Sequence, residues 1–278
     1  MASSNVKDKL ITLIFWLSGS IIVLILAGII GYVVYRGISS LSLEFILEPP
    51  RRAGRAGGIS TTIVSTVYLT FIALLAAVPV GVGSAIYLEE YAHSKSKFAS
   101  IVNLTAETLA GIPSIVFGLF GYVFFVIFLG MGWSVLSGGL TMAIMILPTI
   151  ARTSQEAILA VAREYRENSL ALGASRWQTV RKVILPSALP GIVTGIILSI
   201  GRAVGETAAI ILTAGSSLGM PISPMDPGRT MSVHLYIMAM EGVSTERAFG
   251  TACLIVVLIV IINYLANLSL SRLTRSMS

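Results

Sequence analysis

Residues 108–151 read TLAGIPSIVFGLFGYVFFVIFLGMGWSVLSGGLTMAIMILPTIA, a run of 44 residues without a charged side chain, closed by Glu107 before it and Arg152 after it. A helix rises ~1.5 Å per residue, so about 20 apolar residues cross the hydrocarbon core of a bilayer. The run is about twice that length. Gly130-Met131-Gly132 is its natural break and predicts one membrane helix near Leu109–Leu129 and another near Trp133–Ala151.

The same pattern continues on both sides. Leu10–Tyr35 is uncharged over 26 residues, longer than the apolar core of a signal peptide, about 7–15 residues, and lacks a convincing cleavage site. It reads as a retained helix. A second span covers Thr62–Leu88, interrupted by Pro79, Gly81 and Gly83, which membrane helices tolerate where neighbours satisfy the freed backbone. Two more spans follow, near Ala188–Leu212 and Ala248–Leu270. The expected fold is therefore an all-α integral membrane protein of about six transmembrane helices.

Composition agrees. Of the 278 residues, 55% are hydrophobic and 12% charged, and mean hydropathy is +0.89. Soluble domains carry roughly 25% charged residues. The single cysteine, Cys253, excludes an internal disulfide framework. His93 and His234 lie far apart without ligand partners at metal-binding spacing, so no metal site is read.

With the N-terminus inside, the inner segments hold twelve basic residues: Lys7, Lys9, Lys95, Lys97, Arg152, Arg163, Arg166, Arg176, Arg181, Lys182, Arg272 and Arg275. The outer segments hold six: Arg36, Arg51, Arg52, Arg55, Arg229 and Arg247. The positive-inside rule then places both termini in the cytoplasm. Ser39–Ser60 reads as an irregular external loop. Gly215–Thr245 reads as a segment that dips into the membrane or caps a pore.

The long polar connection after the fourth span carries the most specific signal. It reads Glu167-Asn-Ser-Leu-Ala-Leu-Gly173, nine further residues, then Val183-Ile-Leu185-Pro186. This pattern calls for a short helix, Arg163–Leu172, a turn at Gly173 where a positive φ suits glycine, and a second helix, Ser175–Ile184, ended by Pro186. Leu170, Ala171, Ala174 and Trp177 offer small and apolar surface around the turn. Such a helix pair can dock in a groove of a soluble partner. The alternative is an amphipathic segment lying on lipid headgroups.

The spacing resembles the EAA loop of ABC importer permeases, with Asn168 and Ser169 standing where alanine is usual. By that resemblance Glu167, Leu170, Ala171, Gly173, Ala174, Trp177, Leu185 and Pro186 couple to an ATPase, and the fold is a type I, MetI-like permease core. The chain has no G-x-x-x-x-G-K-[ST] string and no Gly-Lys pair, so it holds no P-loop of its own. No cofactor is implied for this chain, and it is not an enzyme: ATP and Mg²⁺ would be bound by the partner.

In the fifth span, Gly201-Arg202-Ala203-Val204-Gly205-Glu206-Thr207 brings two charges into an apolar stretch. Intramembrane charges are costly and face the protein interior. At i, i+4 on one helix face, Arg202 and Glu206 can neutralise one another or serve an anion pathway, in which the planar guanidinium binds an oxyanion. Thr207 adjoins them. Arg152, at the inner end of the fourth span, is a second candidate for the pathway, or an arginine snorkelling to headgroups. Glu107 is assigned no role.

Arg202-x-x-Gly205-Glu206-Thr207 is similar to the phosphate-importer permeases, as are Ala110-Gly-Ile-Pro-Ser114 and Tyr87-Leu-Glu-Glu-Tyr91. The stretch from Thr207 to Gly215 leans toward the PstA-type subunit. The resemblance covers most of 57–270. It implies import of inorganic phosphate, with a PstC-type second permease, a PstB-type ATPase pair and an external PstS-type binding protein in a prokaryotic cell membrane. The division expected is a first helix and external loop over 1–56, the transport core over 57–271 with its coupling loop at 152–187, and a cytoplasmic tail over 272–278. A permease for molybdate or sulfate, an ion-driven secondary transporter and a membrane scaffold remain alternatives.

Overall fold

The computed structural model describes residues 2–92 and 97–277, with side-chain surroundings for 8–92 and 97–268. His93 and Lys95, and the side chains of Lys7, Arg272 and Arg275, lie outside the described residues. In chain order the elements are α1 (Ala2–Gly37), α2 (Leu43–Leu47), the hairpin β1 (Pro50–Arg51) and β2 (Ala56–Gly57), α3 (Ser60–Ile86), α4 (Lys97–Gly111), α5 (Ser114–Gly121) and α6 (Val135–Leu159). Then follow α7 (Arg163–Ala171), α8 (Arg176–Thr179), α9 (Leu185–Gly205), α10 (Ala208–Thr213), α11 (Met231–Met240) and α12 (Thr245–Met277).

Among the described residues, five helical stretches are long and apolar enough to cross a membrane: Asp8–Ser40, Ser60–Tyr91, Val135–Leu159, Arg176–Gly205 and Thr245–Leu268. Lys97–Gly111 and Ser114–Phe128 make a sixth if taken together, but they bend by 104°. That bend corrects the straight helix expected over Leu109–Leu129. Its cause is Pro113, which has no N–H, sits in an extended conformation (φ −59°, ψ 140°) before α5, and pushes the residue ahead of it out of the helical region. The break at Gly130-Met131-Gly132 stands where the sequence places it. Gly130 and Gly132 both adopt positive φ, and the Ser134 hydroxyl caps the start of α6 by accepting from the Ser137 N–H.

Helix α6 is the most buried of the spans and the centre of the bundle, packed against α3 and α9. In lipid no hydrophobic drive separates helices from solvent, so close backbone approach and shape fit hold them. At Gly139 on α6 an added Cβ would lie 2.6 Å from Cγ2 of Ile72 on α3, so only glycine permits this spacing. Two hydroxyls on the buried face of α3 bond their own helix: Ser65 to the Thr61 carbonyl at 2.8 Å and Thr66 to that of Thr62 at 2.7 Å. Thr66 Oγ1 also accepts the Met231 N–H at 2.9 Å, which seats the start of α11 on α3.

At the periphery α1 packs against α12, with the Tyr32 and Phe249 rings edge to face at 5.7 Å. Phe15 and Trp16 are 72% and 74% exposed, a surface suited to hydrocarbon. The connection from α1 to α3, expected to be irregular, is an ordered cap. Its two strands pair Pro50 with Gly57 and Arg51 with Ala56, while Phe45 is buried and carries the Arg247 guanidinium 5.2 Å above its ring.

Candidate functional site

Two regions gather the chemistry. The first is the polar connection between α6 and α9. Helix α7 ends at Gly173, whose φ is +84°. The Gly173 N–H bonds the Leu170 carbonyl at 3.0 Å and the Ala174 N–H bonds the Ser169 carbonyl at 3.2 Å. This crossed pair is the Schellman closure that glycine allows at a helix end. Ser175 then starts α8 through a reciprocal capping box with Gln178. The Ser169 and Thr179 hydroxyls meet at 2.9 Å and clip the two helices together, which gives a role to the serine standing at a usual alanine position.

At the tip, Leu172 is 89% exposed, Trp177 55% and Leu170 46%. Glu167 and Ala171 are also exposed, and Ala174 is half-buried. Leu185 packs on an apolar cluster that includes Val180, Ile184 and Ala188. Pro186 does not end the second helix, contrary to expectation. The chain is helical from Arg176 to Gly205 in one span. A wide π-type turn over Val180–Ile184, in which the Leu185 N–H bonds Val180, carries the helix into the first turn of α9, where the missing Pro186 N–H costs little. The polar segment is thus continuous with the membrane span.

The second region is the C-terminal end of α9. The expectation of Arg202 and Glu206 on one helical face is corrected. Helix α9 stops at Gly205, and Glu206 is extended (φ −73°, ψ 133°). Arg202 lies exposed in the last turn of α9. The Glu206 carboxylate turns forward and accepts the Ala209 N–H at 3.3 Å, capping α10. Helix dipoles account for the separation: a cation is favoured at a helix C-terminus and an anion at an N-terminus. The freed Glu206 carbonyl accepts a hydrogen bond from the Ser232 hydroxyl of α11. Among the described residues, no carboxylate pairs with Arg202. Thr207 is half-buried between the two helices, its hydroxyl 3.5 Å from the Gly205 carbonyl.

Arg152 sits at the other end of the bundle. It pairs with Glu107 at 2.8 Å and with Glu156 at 3.7 Å, so Glu107, left without a role from sequence, is its main partner. A cavity of about 360 Å³ lined by Ala110, Pro148, Arg152 and Thr153 adjoins them.

Sequence reasoning missed a polar network at that same end. Glu90 pairs with Arg166 at 2.9 Å. Gln155 Nε2 donates to Glu89 and to Asn103, each at 3.1 Å. The string Tyr87-Leu-Glu-Glu-Tyr91 was the available signal, but its partners Gln155 and Arg166 are 66 and 76 residues away in sequence.

Comparison with known proteins follows these features. Residues 77–278 match the family described as binding-protein-dependent transport system inner membrane component. A probable ABC transporter permease protein of Bacillus subtilis (strain 168), YqgI, is 35% identical over 95% of this chain and 95% of its own. The phosphate transport system permease protein PstA 1 of Mycobacterium tuberculosis (strain ATCC 25618 / H37Rv) is 31% identical over 94% of this chain and 87% of its own. PstA of Pasteurella multocida (strain Pm70) is 29% identical over 95% and 94%.

Solved structures share the fold. An inward-facing MetNI methionine ABC transporter superimposes with a TM-score of 0.61 at 22% identity, over 78% of this chain and 94% of that one. A bacterial alginate ABC transporter does so at 0.65 and 16%, over 93% and 95%. The fold is that of a MetI-type permease, and the chain is a multi-pass membrane permease rather than an enzyme. Such permeases work with a substrate-binding protein and separate ATPase subunits. The helix–glycine–helix tip and the matched sequence agree: this chain belongs to the binding-protein-dependent transport system inner membrane components.

Proposed function

We propose that the chain is one of two permease subunits of an ATP-driven importer of inorganic phosphate, with both termini in the cytoplasm. The observation that carries the coupling half of this reading is the tip at Gly173. Leu170, Leu172 and Trp177 expose apolar surface there on a turn whose backbone is closed by its own hydrogen bonds. A groove in an ATPase subunit covers such a surface, with Glu167 and Ala171 alongside. Because α8 runs unbroken into α9, a push on the tip reaches the membrane span without a hinge between them.

The substrate half rests on Arg202 and on resemblance to the phosphate permeases. Its guanidinium has no carboxylate partner among the described residues, lies exposed at the end of α9, and has the geometry to donate two hydrogen bonds to an oxyanion. Thr207 and Glu206 follow it in the chain, and the Glu206 carboxylate, held by the Ala209 N–H of α10, leaves the guanidinium to the anion. Arg152 offers a second cationic point toward the inner end, where Glu107 and Glu156 compete for it. The partners by this reading are a PstC-type permease, a PstB-type ATPase pair and a PstS-type external binding protein. Alternation between outward- and inward-open states moves the anion, through its different affinity for Arg202 in each.

The test is uptake of labelled phosphate by membranes carrying Arg202→Gln, with a membrane pull-down to identify bound chains. Loss of uptake with the ATPase still bound supports the reading. Normal uptake removes Arg202 from the pathway.

A further inference from the structure

We propose that Arg166 and Glu90 form the tie through which helix α7 moves the inner ends of α3 and α6 together, which makes Arg166 a positioning residue for transport. The inference rests on the reading of the Gly173 tip as an ATPase contact, and adds a polar route from α7 to α3 and α6 beside the apolar packing of α9 on them.

The geometry is specific. Arg166 Nε lies 2.9 Å from Glu90 Oε1, and the two side chains are 20% and 12% exposed. The Arg152–Glu107 pair, by contrast, is 53% and 58% exposed. The two terminal nitrogens of Arg166 are also engaged: Nη1 donates to the Val161 carbonyl at 2.6 Å and Nη2 to the Ile158 carbonyl at 2.7 Å. Those carbonyls are at the end of α6, where a helix leaves its last acceptors unsatisfied and a cation is favoured. One planar group therefore binds the end of α3 with one edge and the end of α6 with the other. Lysine keeps the charge but cannot hold this fork.

Val180 and Ile184 share an apolar cluster with Ala85 of α3 and Ile158 of α6, and Arg166 adds the polar link from α7. A cavity of about 310 Å³ opens between the end of α3 and the α7–α8 pair, lined by Glu90, Tyr91, Ala92, Arg166, Leu170 and Arg176 among others. Arg166 forms part of its wall. Beside it, Glu89 accepts from Gln155 of α6, which also bonds Asn103 of α4. Displacement of Arg166 thus acts on α3, α6 and, through Gln155, α4. A charged pair this buried is strengthened by its surroundings and is costly to break from one side, so α7 and the two spans move as one body.

The experiment uses the whole transporter reconstituted in vesicles with its binding protein, measuring labelled phosphate uptake and ATP hydrolysis in the same sample. Arg166→Lys keeps the charge and loses the fork. Glu90→Gln is the milder variant, keeping an acceptor oxygen and losing the charge. In each, hydrolysis is expected to stay within about twofold while phosphate moved per ATP falls by about tenfold, the scale of one charge-assisted hydrogen bond. Uptake and hydrolysis falling by the same factor would make the pair a structural brace and overturn the tie. So would an unchanged ratio. Gly173→Asp run in parallel separates the two levels. If that variant keeps its ATPase and its uptake, the coupling reading fails and the tie falls with it. If it loses them while the Arg166 and Glu90 variants keep the normal ratio, the tie alone fails.

Discussion

Arg152 of α6 donates to Glu107 of α4 at 2.8 Å, although 45 residues separate them in the chain, and Glu156 stands 3.7 Å from the same guanidinium. One cation faces two carboxylates, so an anion reaches Arg152 only when a carboxylate gives way. Exposed pairs of this kind add little to stability. Arg152→Gln is therefore expected to lower phosphate uptake several-fold, and Glu107→Gln, which removes one competing charge, to raise uptake while leaving the thermal midpoint unchanged. Equal losses in both variants would reduce Arg152 to a brace between α4 and α6.

The contact between α6 and α9 is set by Gly195, where an added Cβ would collide with the Thr153 hydroxyl and lie 2.7 Å from Thr153 Cβ. Overpacking of this kind costs about 1–3 kcal/mol. Gly195→Ala is expected to lower the thermal midpoint of the detergent-solubilised protein. Adding Thr153→Ala restores it in part, because the Thr153 Cβ remains close. Full tolerance of Gly195→Ala would mean the two helices are free to part.

Gly173 has nothing within 4 Å of the position a Cβ would take, so within this chain only its φ of +84° restricts it. Asparagine tolerates this region better than alanine, which pays about 1 kcal/mol. ATPase association, read by co-purification, is expected to weaken in the order Gly, Asn, Ala. A ranking by side-chain size instead would show that the partner's groove, and not the turn, sets the requirement.

His234 on α11 is fully buried, and neither ring nitrogen has a hydrogen-bond partner among the described residues. Burial, and then the charges of Arg229 and Arg247, push its pKa down from 6.5 to about 4. The unfolded chain takes up the proton below its ordinary pKa while the folded one does not. The cost to folding is therefore absent above 6.5 and grows as pH falls toward about 4. At about pH 5 it amounts to at most about 2 kcal/mol. His234→Leu is expected to flatten the dependence of thermal midpoint on pH between about 7.5 and about 5. An equally steep curve in the variant would assign the acid sensitivity to other groups.

How much was legible follows from the range of each interaction. The spans were readable because apolar length is a local property. So was the turn at Gly173, since it needs one residue with a positive φ and a cap three residues before Gln178. The Pro113 bend and the stop after Gly205 carry local signals too, a proline within the sequence Gly111-Ile-Pro-Ser114 and a glycine before a capping carboxylate. The Arg202–Glu206 pairing failed because helical spacing was carried across a helix end. The Arg166–Glu90 and Arg152–Glu107 pairs had no local signal that named the partner.

By itself the sequence determined a bundle of apolar helices, the polar segment between the fourth and fifth of them, and the family to which that segment points. Each follows from residues within a few turns of one another. Tertiary structure alone decided which charges meet: Arg166 with Glu90 and the end of α6, Arg152 with Glu107, and Arg202 with no carboxylate among the described residues. The physical reason is that a charge in a membrane protein is stabilised by whichever partner packing brings within about 4 Å, and packing joins residues that the chain keeps far apart.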